Sequence, residues 1–246
     1  LIFIFESLSW DYSSFSDEHD NTPHFKNLAN DSVEFLNMNA YTPHSSKSIF
    51  SIICGSPPLL NRAILETSSN LEVTCLPELF KQHHYSPYFI QTATGTFESR
   101  ARLVNTMGFD YFYAREDLRS KKIGYLSSDD SKLFDKYREK SNPSKPSDPF
   151  FLTLFTSSAH HPYAFSKNNR INSNNTSDFQ RYLKLQKKAD DTLGRIIKDL
   201  KQNNLYDNTL IIAVADHGEG FGINNIKQHD NNFYDEGVHV PAVIKF

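Results

Sequence analysis

The chain has 246 residues, which is enough for one large α/β domain with its own core. It carries 26 lysines and arginines against 29 aspartates and glutamates, a formal net charge of −3, so no basic surface indicates nucleic acid as a partner. No apolar run reaches the roughly 18 residues of a membrane helix. We expect residues 1–246 to form a single domain. Because residue 1 is Leu and already lies in an apolar run, we interpret the chain as a segment of a longer protein.

The first predicted element is a buried strand at residues 1–5, and it ends directly at the carboxylate of Glu6. A short helix is predicted at 23–28, with Thr22 as N-cap and proline at the first helical position. A short strand is expected at 33–36. The beginning of the chain therefore predicts a strand with the carboxylate of Glu6 at its carboxyl end.

A serine-rich segment leads into the second predicted helix. Ile49, Ile52 and Ile53 recur at helical spacing, and Gly55 is a typical C-terminal stop. Ser45 lies at the start of this helix, where the backbone attracts anions. A hydroxyl there can bind a metal, lose its proton and attack phosphorus or sulfur, or it can simply cap the helix. The residues alone leave both interpretations open.

The segment from 56 to 146 has the alternating pattern of crossover units. The predicted elements are helices at 76–84, 97–107 and 131–140 and a strand at 88–92. His83 and His84 are expected on a solvated helix face. Residues 141–147 form a polar connector that is too short for a domain linker.

A third buried strand is predicted at 149–156, and it is followed by His160. Residues 164–177 are rich in Asn and Ser and are expected to form a mobile loop at the rim of a cleft. A long amphipathic helix is predicted at 178–202, with its apolar face in the core. We interpret the acidic pair 190–191 as solvated rather than catalytic.

Residues 210–215 form an apolar strand that ends at Asp216 and His217. In open α/β sheets, ligands bind at the carboxyl ends of the strands, so Glu6 and this pair are well placed to hold a metal. A polar turn after a core strand is the alternative. His239 lies just before the last apolar strand, where the residues alone also fit a hydrogen-bonded structural histidine.

Four separate segments, taken together, resemble the sulfatase-like branch of the alkaline phosphatase superfamily. They are strand-Glu6-Ser7, Ser45 with Gly55, strand-Asp216-His217-Gly218-Glu219, and Gly237-Val238-His239-Val240-Pro241. The pattern is most similar to that of lipoteichoic acid synthases and phosphoethanolamine transferases. It implies an α/β fold with a mostly parallel central sheet and helices on both faces.

The resemblance also implies roles for particular residues. The implied ligands of a divalent metal, Zn, Mn or Mg, are Glu6, Ser45, Asp216 and His217. The implied catalytic residues are Ser45, His160 and His239, and the implied substrate-binding residues are His160, His239, His229 and Lys47. The implied reaction is phosphoryl transfer or phosphodiester hydrolysis on a phosphoglycerol- or phosphoethanolamine-type headgroup through a phosphoseryl intermediate.

The sequence departs from the family pattern at the nucleophile. Most transferases of this branch have threonine there, whereas here Ser45 and Ser46 are both available, and the ten-residue spacing to Gly55 favours Ser45. True sulfatases need Cys or Ser within Cys/Ser-x-Pro-Ser-Arg, and residues 45–49 lack the Pro and the Arg. This weakens the first alternative, a sulfuric ester hydrolase. The second alternative is a catalytically inactive binding module.

The resemblance carries expectations about the surroundings of the protein as well. It favours a disulfide between Cys54 and Cys75, which could otherwise be two small buried hydrophobes. It implies an extracytoplasmic location, a membrane tether upstream of this segment, and a small-molecule or lipid-headgroup phosphoester as substrate. Nucleic acid is not expected as a partner.

Overall fold

The computed structural model describes residues 1–16, 18–62, 64, 73–141, 149–165 and 176–246. Within these ranges the chain forms a seven-stranded sheet. In chain order the strands are β1 (Ile2–Phe5), β2 (Val33–Glu34), β3 (Ser86–Gln91), β4 (Tyr111–Tyr113), β5 (Phe150–Phe155), β6 (Ile211–Ala215) and β7 (Ala242–Lys245). Most of the predicted connector at 141–147 and of the predicted loop at 164–177 lies outside the described residues.

The order of the strands across the sheet is β2-β7-β6-β1-β5-β3-β4. The five strands from β6 to β4 are parallel, and β7 runs antiparallel to both β6 and β2. In register, Phe5 pairs with Ala215, and Ile4 pairs with Phe155 on the other side. The carboxyl ends of β1, β5 and β6 therefore meet at one edge of the sheet, as the sequence predicts.

Helices cover both faces of the sheet. They are α1 (Pro23–Ala29), α2 (Ser45–Cys54), α3 (Leu76–Lys81), α4 (Arg100–Thr106), α5 (Lys132–Ser141), α6 (Asp178–Gln202) and α7 (Asp235–Val238), with 3₁₀ turns at Phe97–Ser99 and Arg115–Leu118. Alternate residues of β1 point to opposite faces, so Phe3 and Phe5 pack with α1, α5 and α6, while Ile2 and Ile4 pack with α2 and α4. The predicted α/β architecture is confirmed. No helix in the described ranges is both long and apolar enough to cross a bilayer.

Several boundaries differ from the sequence prediction. The helix predicted at 97–107 is broken, because Glu98 (φ 49°) and Ser99 (φ 52°) lie in the left-handed region and α4 begins only at Arg100. The helix predicted at 76–84 ends at Lys81, and His83 and His84 are exposed beyond it. The strand predicted at 33–36 has two residues. Strand β4 and helix α7 are too short to show a periodicity and were missed.

The N-terminus of α1 is capped by a distant carboxylate. Thr22 forms no side-chain cap, and the Asp190 carboxylate of α6 accepts hydrogen bonds from the backbone N–H groups of His24 (2.9 Å) and Phe25 (2.8 Å). The expectation that Asp190 is solvated is therefore wrong, whereas Asp191 is exposed. His24, Asp190 and Asp191 are residues of the kinds that bind metals, and their potential ligand atoms lie close together. Both Asp190 oxygens, however, already accept hydrogen bonds from the first turn of α1. Burial raises the pKa of Asp190 to about 7.

The two cysteines form the expected disulfide. Cys54 is the last residue of α2 and Cys75 immediately precedes α3, so the bond joins these two helices. It closes a separation of 21 residues in the chain. The helix that begins at Ser45 is thus covalently anchored at its other end.

Candidate metal centre and active site

The carboxyl edge of the sheet brings together three side chains that lie far apart in the sequence. Glu6 follows β1, Asp216 and His217 follow β6, and potential ligand atoms of all three lie within 4.8 Å of one another. All three residues are buried. They meet because β1 and β6 are adjacent parallel strands that end in register. The predicted convergence of these residues is confirmed.

Ser45 faces this group from the start of α2. Its Oγ is 3.1 Å from Nε2 of His217 and 3.4 Å from Oε2 of Glu6. His44 is the N-cap residue, so Ser45 is the first residue of the helix rather than its cap. The Oγ of Ser46 instead donates to Glu98, at 2.5 Å. Of the two candidate serines, Ser45 is the one in contact with the carboxylate and imidazole group.

Hydrogen bonds fix the orientation of the three side chains. Oδ1 of Asp216 accepts from the backbone N–H groups of Ser7 and His217, each at 2.8 Å. Its Oδ2 lies 3.4 Å from Nε2 of His217 and has no hydrogen-bond partner among the described residues. Nδ1 of His217 is 2.8 Å from the carbonyl oxygen of Gly218, which can only accept. That nitrogen therefore carries the proton, and Nε2 presents its lone pair to Ser45.

These donors fit a divalent cation. A buried carboxylate oxygen without a partner is costly, and an ion would satisfy it. Two carboxylates, one imidazole and one hydroxyl suit Zn, Mn or Mg, and no thiolate is present to select a softer ion. The residues of the predicted metal set therefore fit the group that the resemblance implies.

The pKa values of these residues also favour a bound cation. Burial, followed by the charge of Asp216, raises the pKa of Glu6 well above its ordinary value. Burial also raises the pKa of Asp216. Burial lowers the pKa of His217 to about 3, so this imidazole is neutral. Two buried carboxylates without a nearby bound cation destabilise each other, and a cation between them would offset that cost.

Two further histidines border the centre. The His229 ring lies 4.5 Å from the His217 ring and 5.4 Å from the His160 ring, centroid to centroid. Nδ1 of His229 is 3.3 Å from the buried carboxylate of Glu219. Burial lowers the pKa of His229, but the hydrogen bond and charge of Glu219 outweigh this effect and raise it to about 9. His160 contacts Tyr125, whose hydroxyl is 3.2 Å from Nδ1.

His239 and Lys47 have other surroundings. The His239 ring stacks on Trp10 with centroids 4.8 Å apart, and its Nε2 is 3.0 Å from the carbonyl oxygen of Leu36. No contact described for His239 reaches the Glu6, Asp216 and His217 group. Lys47 donates to the carbonyl oxygen of Leu60. The roles assigned to these two residues stay predictions.

Arg100 was not predicted from the sequence. This side chain is 2% exposed, its Nη2 lies 3.3 Å from Glu98, and its Nε and Nη1 have no hydrogen-bond partner among the described residues. Burial lowers its pKa, and the charges of Glu98, Glu6 and Asp216 oppose that shift. An arginine in a predicted amphipathic helix is normally solvated, so nothing in the local pattern marked it.

Comparisons with known proteins identify the family and the fold of the chain. The sulfatase family model matches residues 1–246. The chain is 24% identical to the ulvan-active sulfatase of Formosa agariphila in an alignment of 265 positions, which covers 92% of this chain and 51% of that protein. The chain thus spans about half the length of that relative.

Two solved structures share the fold. The lipoteichoic acid synthase LtaP from Listeria monocytogenes matches 99% of this chain and 64% of its own, with a TM-score of 0.83 and 18% identity. The C-terminal periplasmic domain of EcEptC from Escherichia coli, in complex with Zn, matches 99% of this chain and 71% of its own, with a TM-score of 0.75 and 16% identity. At these identities the likeness shows a shared fold.

Proposed function

Because the chain belongs to the sulfatase family, we propose that it is a metal-dependent phosphotransferase or phosphodiesterase. Its substrate is a phosphoester of the phosphoglycerol or phosphoethanolamine headgroup type, and the reaction passes through a phosphoseryl intermediate. One observation carries the proposal: Ser45 Oγ lies 3.1 Å from Nε2 of His217 and 3.4 Å from Oε2 of Glu6, and Nε2 of His217 is in turn 3.4 Å from Oδ2 of Asp216. A hydroxyl in such a group is a nucleophile in position.

Glu6, Ser45, Asp216 and His217 would hold the divalent metal ion, Zn, Mn or Mg. When bound, a divalent cation lowers the pKa of a neighbouring hydroxyl and neutralises charge that develops on oxygen. The Zn complex of the EcEptC domain supports this assignment, since that domain shares the fold.

The reaction has two steps, the formation of the phosphoseryl intermediate and its breakdown. In the first, the Ser45 hydroxyl gives up its proton to solvent and Oγ forms a bond to phosphorus. The bond from phosphorus to the leaving alcohol, in line with the new bond, breaks, and the alcohol oxygen keeps the electron pair. Arg100, with two nitrogens that have no hydrogen-bond partner among the described residues, holds the phosphoryl oxygens. His229, whose pKa is raised to about 9, despite its burial, by the hydrogen bond and charge of Glu219, donates the proton that the leaving oxygen takes up. In the second step, water or an acceptor hydroxyl gives its proton to His229 and attacks phosphorus, and the bond between phosphorus and Ser45 Oγ breaks. Oγ then takes up a proton from solvent.

We assign the protein to the extracytoplasmic side of a membrane, with a tether upstream of residue 1. The fold shared with a domain described as periplasmic supports this location. The Cys54–Cys75 disulfide agrees with an oxidising compartment. The partner is then a small-molecule or lipid-headgroup phosphoester and not nucleic acid.

The direct test is hydrolysis of bis(p-nitrophenyl) phosphate and p-nitrophenyl phosphate against p-nitrophenyl sulfate, each with Mn, Zn or Mg and after chelation. We expect turnover of a phosphate ester that depends on the metal, and a phosphoryl adduct on Ser45 by mass spectrometry of the quenched enzyme. Turnover of the sulfate alone would refute the phosphoester assignment.

A sulfatase is the second candidate, and the similarity to the ulvan-active sulfatase favours it. Residues 45–49 lack the proline and arginine of the sulfatase motif, which counts against it. A third possibility, an inactive binding module, predicts neither bound metal nor turnover of any of these esters. Metal analysis of the purified protein separates it from the two enzymes.

A further inference from the structure

A buried carboxylate just before α5, that of Asp130, has no part in the proposed reaction. Asp130 is 1% exposed. An acid in this place usually caps the helix that follows, and α5 begins at Lys132. Asp129 makes that local contact instead, because its Oδ1 accepts from the backbone N–H of Ser131 at 3.0 Å. The carboxylate of Asp130 is directed to the ends of two strands.

Asp130 binds the chain after β3 to the chain after β5. Its Oδ1 accepts from the hydroxyl of Thr92, directly after β3, and from the backbone N–H of Ser157 at 3.0 Å. Its Oδ2 accepts from the backbone N–H of Ser158 at 3.2 Å and from the hydroxyl of the same residue. The hydroxyls of Thr92 and Ser157 are themselves 2.7 Å apart. Hydroxyl and backbone donors thus satisfy this buried carboxylate and fix the course of the chain beyond β5.

The segment fixed by Asp130 leads directly to His160. The backbone N–H of His160 donates to the carbonyl oxygen of Ser157 at 3.3 Å, which closes a turn. Nδ1 of His160 is 2.8 Å from the carbonyl oxygen of His161, which can only accept, so Nδ1 carries the proton. The ring lies 5.4 Å from that of His229, centroid to centroid. Asp130 is therefore connected through Ser157 to the backbone of a histidine that borders the candidate active site.

The segment that carries Asp130 also contacts His160 directly. The hydroxyl of Tyr125, five residues earlier in the chain, is 3.2 Å from Nδ1 of His160, and the two rings are 5.9 Å apart. Between Tyr125 and Asp130, the backbone N–H of Ser128 donates to the carbonyl oxygen of Thr92 at 2.9 Å. Asp130 thus joins the segment that ends at His160 to the segment that supplies its neighbour Tyr125.

We propose that Asp130 is a positioning residue, which sets the place of His160 in the candidate active site without touching the substrate. The inference rests on the proposed ester chemistry, for which the family resemblance implies that His160 binds the substrate. A carboxylate is required, because each of its oxygens accepts from a backbone N–H, of Ser157 or of Ser158. An asparagine would turn its own N–H group toward one of these donors in either orientation of the amide.

A double-mutant cycle separates positioning of His160 from a general effect on the fold. We expect Asp130→Asn to lower kcat/KM for bis(p-nitrophenyl) phosphate by about 10- to 100-fold, the usual effect of removing a residue that orients a site residue. In a His160→Gln background the same change should cost less than about twofold, because the side chain that Asp130 positions is already gone. An equal loss in both backgrounds would overturn the inference.

The matched control is Asp190→Asn. Asp190 is also a buried carboxylate that accepts from two backbone N–H groups, but it does so at the start of α1. This variant should keep the wild-type kcat/KM. A loss in Asp190→Asn as large as that in Asp130→Asn would contradict a specific role for Asp130.

Histidine ring ¹H–¹⁵N correlation spectra of the full chain, recorded at one pH, give a second measurement that needs no turnover. The His160 signal is identified by its absence from His160→Gln. We expect Asp130→Asn to shift or broaden it, Ser158→Ala to shift it less, and Asp190→Asn to leave it in place. If Asp130→Asn does not fold, Ser158→Ala, which removes a single hydroxyl donor, decides by the same two measurements.

The spectra also distinguish failure of this inference from failure of the proposed function. A His160 signal that is unchanged in Asp130→Asn would overturn the inference, whether or not the protein hydrolyses an ester. A signal that moves in Asp130→Asn and not in Asp190→Asn, in a protein that hydrolyses none of the esters, would support the positioning role and refute the proposed function.

Discussion

Two adjacent serines at the start of α2 have different partners, and this difference gives a direct prediction. Ser45 contacts His217 and Glu6, whereas Ser46 donates to Glu98. We expect Ser45→Ala to lower kcat by about a thousandfold or more, because the atom that attacks phosphorus is removed. Ser46→Ala should retain most of the activity. Steady-state kinetics with bis(p-nitrophenyl) phosphate measure both effects.

Thermal unfolding provides the control for these two variants. Ser45→Ala should unfold within a few degrees of the wild type, because the loss of one neutral hydrogen bond costs about 1 kcal/mol. If Ser46→Ala is inactive and Ser45→Ala remains active, the nucleophile is Ser46 and the assignment to Ser45 is wrong.

Arg100 is a candidate site residue that was identified only from the structure. Its Nε and Nη1, which have no hydrogen-bond partner among the described residues, are buried near Glu6 and Asp216, where their N–H groups would be available to a phosphoryl group. Arg100→Lys keeps the charge but loses these directed donors, and we expect kcat/KM to fall by about 10²-fold or more. Arg195→Gln, an exposed arginine of α6, is the matched control and should be unaffected. A normal kcat/KM in Arg100→Lys would remove Arg100 from the phosphoryl site.

The residues that the sequence could identify share one feature. Glu6, Asp216 and His217 each follow an apolar strand, so the rule that ligands bind at strand carboxyl ends selects them. Arg100 lies inside a predicted helix and carries no such mark. His239 matched the family pattern, yet its described contacts are with Trp10 and the backbone of Leu36. The local sequence therefore predicts which residues lie at the end of a strand or helix. It does not predict which side chains from other parts of the chain they contact.

At the scale of elements, the burial of the Asp190 carboxyl at the start of α1 predicts a pH-dependent contribution to stability. The pKa of this carboxyl rises from its ordinary value of 3.8 to about 7 because it is buried. Between these values the unfolded chain releases a proton that the folded chain retains, so the free energy of unfolding falls as pH rises, by about 1.4 kcal/mol per pH unit. The contribution of Asp190 is full below pH 3.8 and is lost by about pH 7.

Asp190→Asn lacks this titration, so urea unfolding of both proteins from pH 4 to pH 8 isolates it. We expect the stability of the wild type relative to the variant to fall across the range and then level off. Asp191→Asn, at the exposed neighbouring position, should retain nearly the wild-type slope. A wild-type curve parallel to that of Asp190→Asn would contradict the assignment.

Elements were predictable where sequence signals and structure agree locally. Helix α6 has the predicted bounds, because Ser177 and Gln180 form a capping box and an apolar face runs along the helix. The predicted helix at 97–107 failed because the left-handed Glu98 and Ser99 have no glycine or proline to mark the break. The cap of α1 also escaped prediction, since it comes from a residue 166 positions away.

At the scale of the whole molecule, the class of fold was predictable and the order of its strands was not. Buried apolar strands alternating with helices indicate a parallel sheet. The placement of β1 between β5 and β6 depends on crossovers that no local pattern encodes. That placement decides the site, because it sets Glu6 beside Asp216 and brings the start of α2 to the same edge.

The folded molecule should therefore be stabilised by the cation that its four converging residues fit. A ligand that binds the folded state alone raises the free energy of unfolding by RT ln(1 + [L]/Kd), which is about 2.7 kcal/mol at a hundredfold excess over Kd. We expect Mn, Zn or Mg to raise Tm by several degrees over chelated protein, and Asp216→Asn to abolish that increase. Asp207→Asn, which neutralises an exposed acid, should respond like the wild type. Asp216→Asn should unfold at no lower a temperature than chelated wild type, because the substitution relieves the repulsion with Glu6. A Tm that is the same with metal and with chelator would show that Glu6, Ser45, Asp216 and His217 do not form a cation site.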